Sequence, residues 1–314
     1  MQTRAPASQN VLLFAVVVLA WGLSWYAIRM QLGPVPPESS VLWRFLLAAA
    51  LLWAGLGLSG RLRRARPAQH RWLAAMGACL FSCNFLLFYA AEASVPSGVV
   101  SVVFSTAAAF NALLAWLLEG RRPSRRVLIG AASGTAGVAL LFADQLGQAG
   151  ADAALGLAEA LGGTLLFSLG NFAVRRATAG GADLPNAMAR GMTWGSALLA
   201  GVALLRGGPV APALTPAYLG GLAYLAAVAS VLGFLAYLRL AARVGPERAA
   251  YATVTAPLVA LAVSTGLEGY AWSAWAVLGV PLVVLGNVVV FAPARRALAD
   301  PGVGTNARGN RYSP

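Results

Sequence analysis

The chain has 314 residues, 59% of them apolar and only 11% charged, with a mean hydropathy of +0.71. So little charge would leave the surface of a soluble protein of this size largely uncovered, which excludes that class. The net charge of +13 comes wholly from Arg, 23 residues and no Lys, placed in short connections between apolar runs, which is a positive-inside pattern rather than a nucleic-acid footprint.

A helix needs about 20 residues to cross a ~30 Å hydrocarbon core. Apolar runs near that length predict ten spans, at 11–29, 38–58, 72–92, 97–118, 126–142, 154–174, 186–205, 216–238, 246–267 and 272–292. The opening MQTRAPASQN carries one Arg and leads into the first run without an A-x-A-like cleavage site, so a retained first helix is expected. Pro or Gly marks many edges: Gly33 to Pro37, Pro67, Pro96, Pro123, Pro185, the GGPVAPALTP run at 207–216, and Pro246. Trp43, Trp53, Trp72, Trp116, Trp272 and Trp275 fall near the ends of spans, where an amphipathic ring suits the headgroup layer. Residues after Ala294 hold Pro, Gly and Arg without apolar periodicity and are expected to be disordered. Cys79 and Cys83, four apart in an apolar helix, read as small packing residues rather than a redox or metal pair.

Alternate connections hold Arg4; Arg61, Arg63, Arg64, Arg66 and Arg71; Arg121, Arg122, Arg125 and Arg126; Arg175 and Arg176; Arg239, Arg243 and Arg248; and Arg295, Arg296, Arg308 and Arg311. The other connections hold only Arg29 and Arg206, at helix ends. Both termini are therefore expected in the cytoplasm, which needs an even number of spans. The stretch from Pro96 to Phe142 recurs from Pro246 to Phe291. Leu118, Glu119, Gly120, Gly130, Gly137 and Phe142 fall on Leu267, Glu268, Gly269, Gly279, Gly286 and Phe291 at an offset of 149, and Pro96 falls on Pro246 at 150. Five spans per half is an odd number, so the second half must be inserted upside down. The shared Leu-Glu-Gly corner runs on into Arg121-Arg122 in one copy and Tyr270-Ala271 in the other, as such an inversion requires. Inverted repeats of this kind are a hallmark of transporters.

The first-helix run W-G-L-S-W-Y-A-I-R, Trp21 to Arg29, resembles the signature of the EamA-type carriers in the drug/metabolite transporter superfamily. The run N-F-L-L-F-Y-A-A, Asn84 to Ala91, and the repeated stretch with its L-E-G corner are similar to the same family over 11–292. The resemblance implies an all-α integral membrane fold of ten transmembrane helices, as two inverted five-helix repeats around a central cavity. It also implies export of small metabolites, with the amino-acid exporter branch as the expected member. The expected layout is a cytoplasmic N-terminus at 1–10, a first repeat at 11–142, an external linker at 143–153, a second repeat at 154–292 and a cytoplasmic tail at 293–314. The expected place is the cell inner membrane, as a monomer or weak homodimer in contact with lipid and a small-molecule substrate, with no nucleic acid, cofactor or metal.

Ser97, Ser101 and Ser105 lie four apart on one face of the fourth span, and a shift of 150 gives Glu247, Tyr251 and Thr255 on the ninth. Two readings stand: a cavity-lining stripe, or hydroxyls bonded to their own helix and its neighbours at about 1 kcal/mol each. Recurrence in both halves favours the first. Pro257 would free a backbone carbonyl beside it. Trp21, Trp25 and Tyr89, with Phe167 and Tyr237 nearer the cytoplasm, would form an apolar pocket, or else pack the bundle. Asn84, Asn111, Ser168 and Asn171 are further candidates. Arg44 and Arg190, matched at an offset of 146, stand within two turns of their helix starts. Both read first as anchors that snorkel to the interface. As a functional group, Arg44 would hold a substrate carboxylate.

An enzyme would need a nucleophile with its base or metal ligands at membrane depth, and the spans offer neither; no P-loop motif for nucleotide-driven pumping occurs. The same fold could serve a lipid-carrier or sugar-nucleotide translocator, or a membrane assembly factor that transports nothing. No Asp or Glu is placed at midplane by the pattern, which favours uniport or exchange over tight proton coupling. Uptake into liposomes is accordingly expected to persist when the pH gradient is removed; uptake that collapses with the gradient would contradict this.

Overall fold

The computed structural model describes residues 7–33, 35–149, 151–244, 249 and 251–291. In chain order its helices are α1 (Ser8–Arg29), α2 (Pro37–Leu58), α3 (Pro67–Ser94), α4 (Ser97–Glu119), α5 (Arg125–Ala149), α6 (Ala151–Ala179), α7 (Leu184–Arg206), α8 (Pro216–Ala241), α9 (Tyr251–Leu267) and α10 (Ala274–Phe291). Seven of these, α1 to α4 and α6 to α8, are long and apolar enough to cross a membrane; α9 and α10 are shorter apolar helices. Among the described residues there is no strand. An all-helical chain with this many apolar spans is an integral membrane protein, since in lipid each backbone polar group must be satisfied within its own segment.

Sequence chemistry sets the helix ends. Pro at the first turn opens α2, α3 and α8. The Thr215 hydroxyl caps α8 by accepting from the N–H of Tyr218 at 3.3 Å. The Leu-Glu-Gly corners close α4 and α9 on Gly120 and Gly269, at φ of 69° and 70°, a left-handed turn that a side chain would resist. Several elements outrun the expected bounds. α3 begins at Pro67 rather than 72, while α5 and α6 cover most of 143–153, the interval expected as a linker. The expected start of the ninth span, including Pro246 and Glu247, lies outside the described residues, as do most of the N-terminal segment 1–10 and the tail 293–314.

Four helices are interrupted. α1 breaks at Leu23 and α4 at Ser105 and Thr106. The hydroxyls of Ser24, Ser105 and Thr106 bond back to the carbonyls of Trp21, Val102 and Val103 at 2.6–2.7 Å, competing with the helical ladder and bending it. α3 and α8 each carry a π segment, Cys79–Cys83 and Tyr224–Leu232, where one extra residue re-aims the side chains that follow.

The helix pairs have a pattern of their own. α2 packs on α7, α4 on α9 and α5 on α10; α1 packs on α8 and α9, and α6 on α3 and α4. The α5–α10 contact is glycine against glycine. A methyl group on Gly137 would stand 2.5 Å from the carbonyl of Gly279, and one on Gly130 would strike the carbonyl of Gly286. Hydrocarbon gives helices no hydrophobic reason to associate, so such close backbone contact supplies packing that larger residues would prevent. Gly130 and Gly137 thus serve packing within the bundle. Large apolar side chains such as Leu128, Ile129, Leu155 and Leu285 point outward, exposed at the bundle perimeter.

Gly137→Leu is expected to lower stability by about 1–3 kcal/mol through overpacking. Gly134→Ala, whose added methyl would meet only the Thr106 methyl at 4.0 Å, is expected to be near neutral. Thermal unfolding of the two variants in detergent measures the difference.

Candidate functional site

Alternate connections gather at opposite ends of the bundle. At one end the Arg-rich segments meet: the N–H of Arg63 donates to Asn186 Oδ1 at 2.9 Å, Gln69 Nε2 donates to the carbonyl of Gly180 at 2.7 Å, and Arg190 donates to the carbonyl of Arg63. At the other, Arg-poor end, the bridges are denser. The Ser39 hydroxyl donates to the carbonyl of Pro209 at 3.0 Å, Trp43 Nε1 to that of Val210 at 2.7 Å, and Arg29 to that of Glu92. Ser40 and Tyr218 hydroxyls meet at 2.9 Å, and Glu38 pairs with Arg206 at 3.4 Å. Glu38 therefore links α2 to α7.

Between these ends lies a cavity of about 290 Å³. Its wall takes Trp21, Ser24, Trp25 and Ile28 from α1, Arg44 from α2, and Asn84, Phe85 and Phe88 from α3. α4 gives Phe104, Ser105, Ala107, Ala108 and Asn111, and α6 gives Phe167 and Asn171. α8 and α9 complete it with Ala229, Phe234, Tyr237, Thr253, Ala256 and Pro257. Elements contributed near the Arg-poor half are Ile28, Arg44 and Phe88; those near the basic half are Asn111, Asn171, Tyr237 and Thr253. The cavity wall thus spans from beneath the bridged Arg-poor end into the basic half.

Eight of the 21 wall residues are aromatic, and their rings interlock. Trp25 lies edge-on to Phe88 at 5.3 Å, Phe104 meets Phe167 edge-on at 4.7 Å, and Trp21 sits 5.2 Å from Tyr237. Such contacts hold the rings in place and give a firm apolar surface. Against it stand a few buried polar groups. Arg44 is 4% exposed, its guanidinium carbon 4.2 Å from the Phe85 ring centroid. Its Nε donates to the Ser230 hydroxyl at 3.2 Å, and its Nη1 has no hydrogen-bond partner. Asn84, directly after the π segment of α3, is fully buried, and neither its Nδ2 nor its Oδ1 has a hydrogen-bond partner; Asn111 Oδ1 is in the same condition. Donors and acceptors left open on an apolar wall are what a small-molecule site needs to fix orientation.

Of the residues expected at the site, Trp21, Trp25, Arg44, Asn84, Ser105, Phe167 and Tyr237 stand on this wall, as do Asn111 and Asn171. Tyr89, Ser101, Tyr251 and Thr255 do not. Tyr89 is buried behind it and donates to Gln31 Oε1 at 2.5 Å. The Ser101 hydroxyl bonds back to the carbonyl of Gly98 at 2.7 Å, and that of Thr255 to Tyr251 at 2.9 Å, which is the helix-internal role weighed against cavity lining. Ser168 is buried and donates to the carbonyl of Ala107 at 3.4 Å. The wall residues of the two helices correspond at 149: Phe104, Ala107 and Ala108 fall on Thr253, Ala256 and Pro257. The serine stripe does not reach that face of α9 at either offset, since Ser105 falls on Thr255 at 150 and on Val254 at 149, and neither stands on the wall. Thr253 is the counterpart of Phe104, which gave no signal of its own. Ser24, Phe85, Phe88 and Phe234 had no signal of their own in an aromatic-rich chain.

Arg44 does not snorkel to the surface as an anchor would; Arg190 is held at the basic end, bonded to the carbonyl of Asn186 at 3.1 Å and 5.0 Å from the Trp53 ring. A further charged group enters the interior unannounced. Glu92, near the Arg-poor end of α3, is fully buried, and its carboxylate oxygens have no hydrogen-bond partner.

Residues 9–143 match the model of the EamA-like transporter family. The uncharacterized inner membrane transporter YedA of Escherichia coli K12 is 32% identical over 301 residues, spanning 91% of this chain and 93% of its own. The same figures hold for YedA of Escherichia coli O157:H7. A crystal structure of a protein 19% identical to this chain shares its fold, with a TM-score of 0.64 over 93% of this chain and 100% of the other.

Asn84→Leu is expected to raise the unfolding temperature in detergent, because two unpartnered buried amide atoms, each costing about 1–3 kcal/mol, give way to an apolar side chain of similar size. The same change is expected to lower transport, so that stability and activity move in opposite directions when both are measured on one preparation.

Proposed function

Because the chain belongs to the EamA-like transporter family, we propose that this membrane transporter exports small metabolites, foremost amino acids with aromatic or neutral side chains, by alternating access between two inverted halves. The observation that carries the substrate reading is Arg44. Among the described residues it is the one Arg on the cavity wall and no Asp or Glu lines that wall, while Tyr89 and Glu92 face the guanidinium from behind it. A carboxylate is the natural complement to its open Nη1, with Asn84 Nδ2 beside the same cavity as a second donor. The Oδ1 atoms of Asn84 and Asn111 would take the amino group, and the rings the side chain. Three amides and a ring of aromatics suit an amino acid better than a polyanionic sugar nucleotide.

The two-fold reading has its own support. Under exchange of the halves, α1 to α5 with α6 to α10, the pairs α2–α7, α4–α9 and α5–α10 map onto themselves. The pair α1–α8 maps onto α6–α3, and α1–α9 onto α6–α4, all of which are observed. Gly130 against Gly286 becomes Gly279 against Gly137, again an observed contact. The π segments of α3 and α8 also correspond. The halves are therefore assigned to 11–142 and 154–292. The basic end is assigned to the cytoplasm by the Arg pattern, with both termini there and the inner membrane as location. On that assignment the cavity leads to the cytoplasm, as an exporter's loading state would.

Counterflow into proteoliposomes across amino acids, nucleosides and cationic drugs tests the reading, with exchange expected for apolar amino acids. Arg44→Gln is expected to weaken exchange of a carboxylate substrate roughly tenfold or more, the worth of one charge-assisted hydrogen bond, while the corresponding amino-acid amide is little affected. Exchange of cationic drugs alone, indifferent to Arg44, would reject it.

A further inference from the structure

The two Leu-Glu-Gly corners end on glycines of the same left-handed φ, and the described partners of their glutamates differ. Glu268, which follows α9, reaches across to the start of α4. Its Oε2 accepts from the N–H of Ser97 at 3.0 Å, and its Oε1 accepts from the Ser97 hydroxyl. Gly98 N–H donates to the Ser264 hydroxyl at 3.2 Å, and a methyl group on Gly98 would stand 2.7 Å from Leu261 Cα. A carboxylate thus caps the first N–H of a helix start and ties the end of α9 to the start of α4 at the Arg-poor end. Glu119, its counterpart at an offset of 149, ends α4 at the basic end. Among the described residues it pairs there with Arg121 at 3.3 Å and Arg175 at 3.6 Å.

We propose that Glu268 and Glu119 are alternating latches of the transport cycle, one for each end of the cavity. Glu268 holds the Arg-poor end shut in the state described here. Glu119, released from Arg121 and Arg175, does the same for the basic end, reaching toward the repeat-related helix α9 when that end closes. Both are positioning residues: neither touches the cavity, and each acts by setting which end is open. The proposal rests on the alternating-access reading of the two halves, yet its test needs no substrate.

In the full-length chain with Cys79→Ala and Cys83→Ala, Ser24→Cys places a single thiol on the cavity wall. A membrane-impermeant maleimide is applied to right-side-out and inside-out vesicles, so that each end is read separately. Glu268→Gln is expected to raise labelling through the Arg-poor end about fivefold or more relative to labelling through the basic end, by the loss of one charge-assisted bond from a two-state balance. Ser97→Ala is expected to shift it in the same direction by less, and serves if the first variant does not fold. Glu119→Gln is expected to move the ratio the opposite way. A cap of merely structural worth would lower thermal stability in each variant without opposite shifts. Ratios that stay fixed, or move together, overturn the proposal. If no compound exchanges in counterflow while the ratios move oppositely, the substrate reading falls and the latches stand. If exchange occurs and the ratios do not move, the latches alone fall.

Discussion

Helices in hydrocarbon are surrounded by a solvent as apolar as their own side chains, so burying Leu against Leu gives no advantage over leaving it in lipid. Close backbone approach must do what the hydrophobic effect does in water. In this chain that approach rests on glycines placed where two helices cross: Gly130 and Gly137 against Gly286 and Gly279, Gly98 against Leu261, and Gly77 against Gly191 and Gly195. With those crossings fixed, the remaining helices are held far enough apart to leave an aromatic-walled space between them. The cavity is thus a consequence of where the small residues are, as much as of the large ones that line it.

Within that space the polar groups are sparse and poorly satisfied. Arg44, Asn84 and Asn111 each present atoms to an apolar wall without a protein partner. A bundle selected for stability alone would fill such positions with Leu or Phe. Under the proposed function these are the places where stability is given up for recognition, and the interlocked rings around them keep the open atoms at fixed positions. The polar bridges of the Arg-poor end are of another kind. There, donors and acceptors are matched across helices, as at Ser40 and Tyr218 or Ser97 and Glu268, and the result is a closed seam.

Membrane class, the helical spans and the family were legible in the sequence, because each is written in long-range composition: apolar runs, alternating Arg, and the W-G-L-S-W-Y-A-I-R segment. The cavity wall was legible in part. Trp21, Trp25, Arg44, Asn84 and Tyr237 could be named because a large ring or a polar atom inside an apolar run is conspicuous. Rotation about a helix axis is less so. Tyr251 and Thr255 stand two residues from Thr253 and Pro257, about 200° around the helix, and hydropathy does not tell the two faces apart. Tyr89 and Glu92 went astray for a different reason. Hydropathy averages over a window, so it locates a span but not which of its polar members meets the cavity and which lies buried behind it.

The reciprocal glycine crossing of α5 and α10 has a mechanical consequence. Gly130 meets Gly286 and Gly137 meets Gly279, so exchanging the two halves returns the same crossing. In the proposed cycle a contact of this symmetry has one geometry in both end states and favours neither. It can be made as strong as packing allows without tilting the balance between them. It is ballast: weight carried low and on the centre line, which steadies the molecule against unfolding yet leaves the rocking of its halves to contacts that lie off the axis.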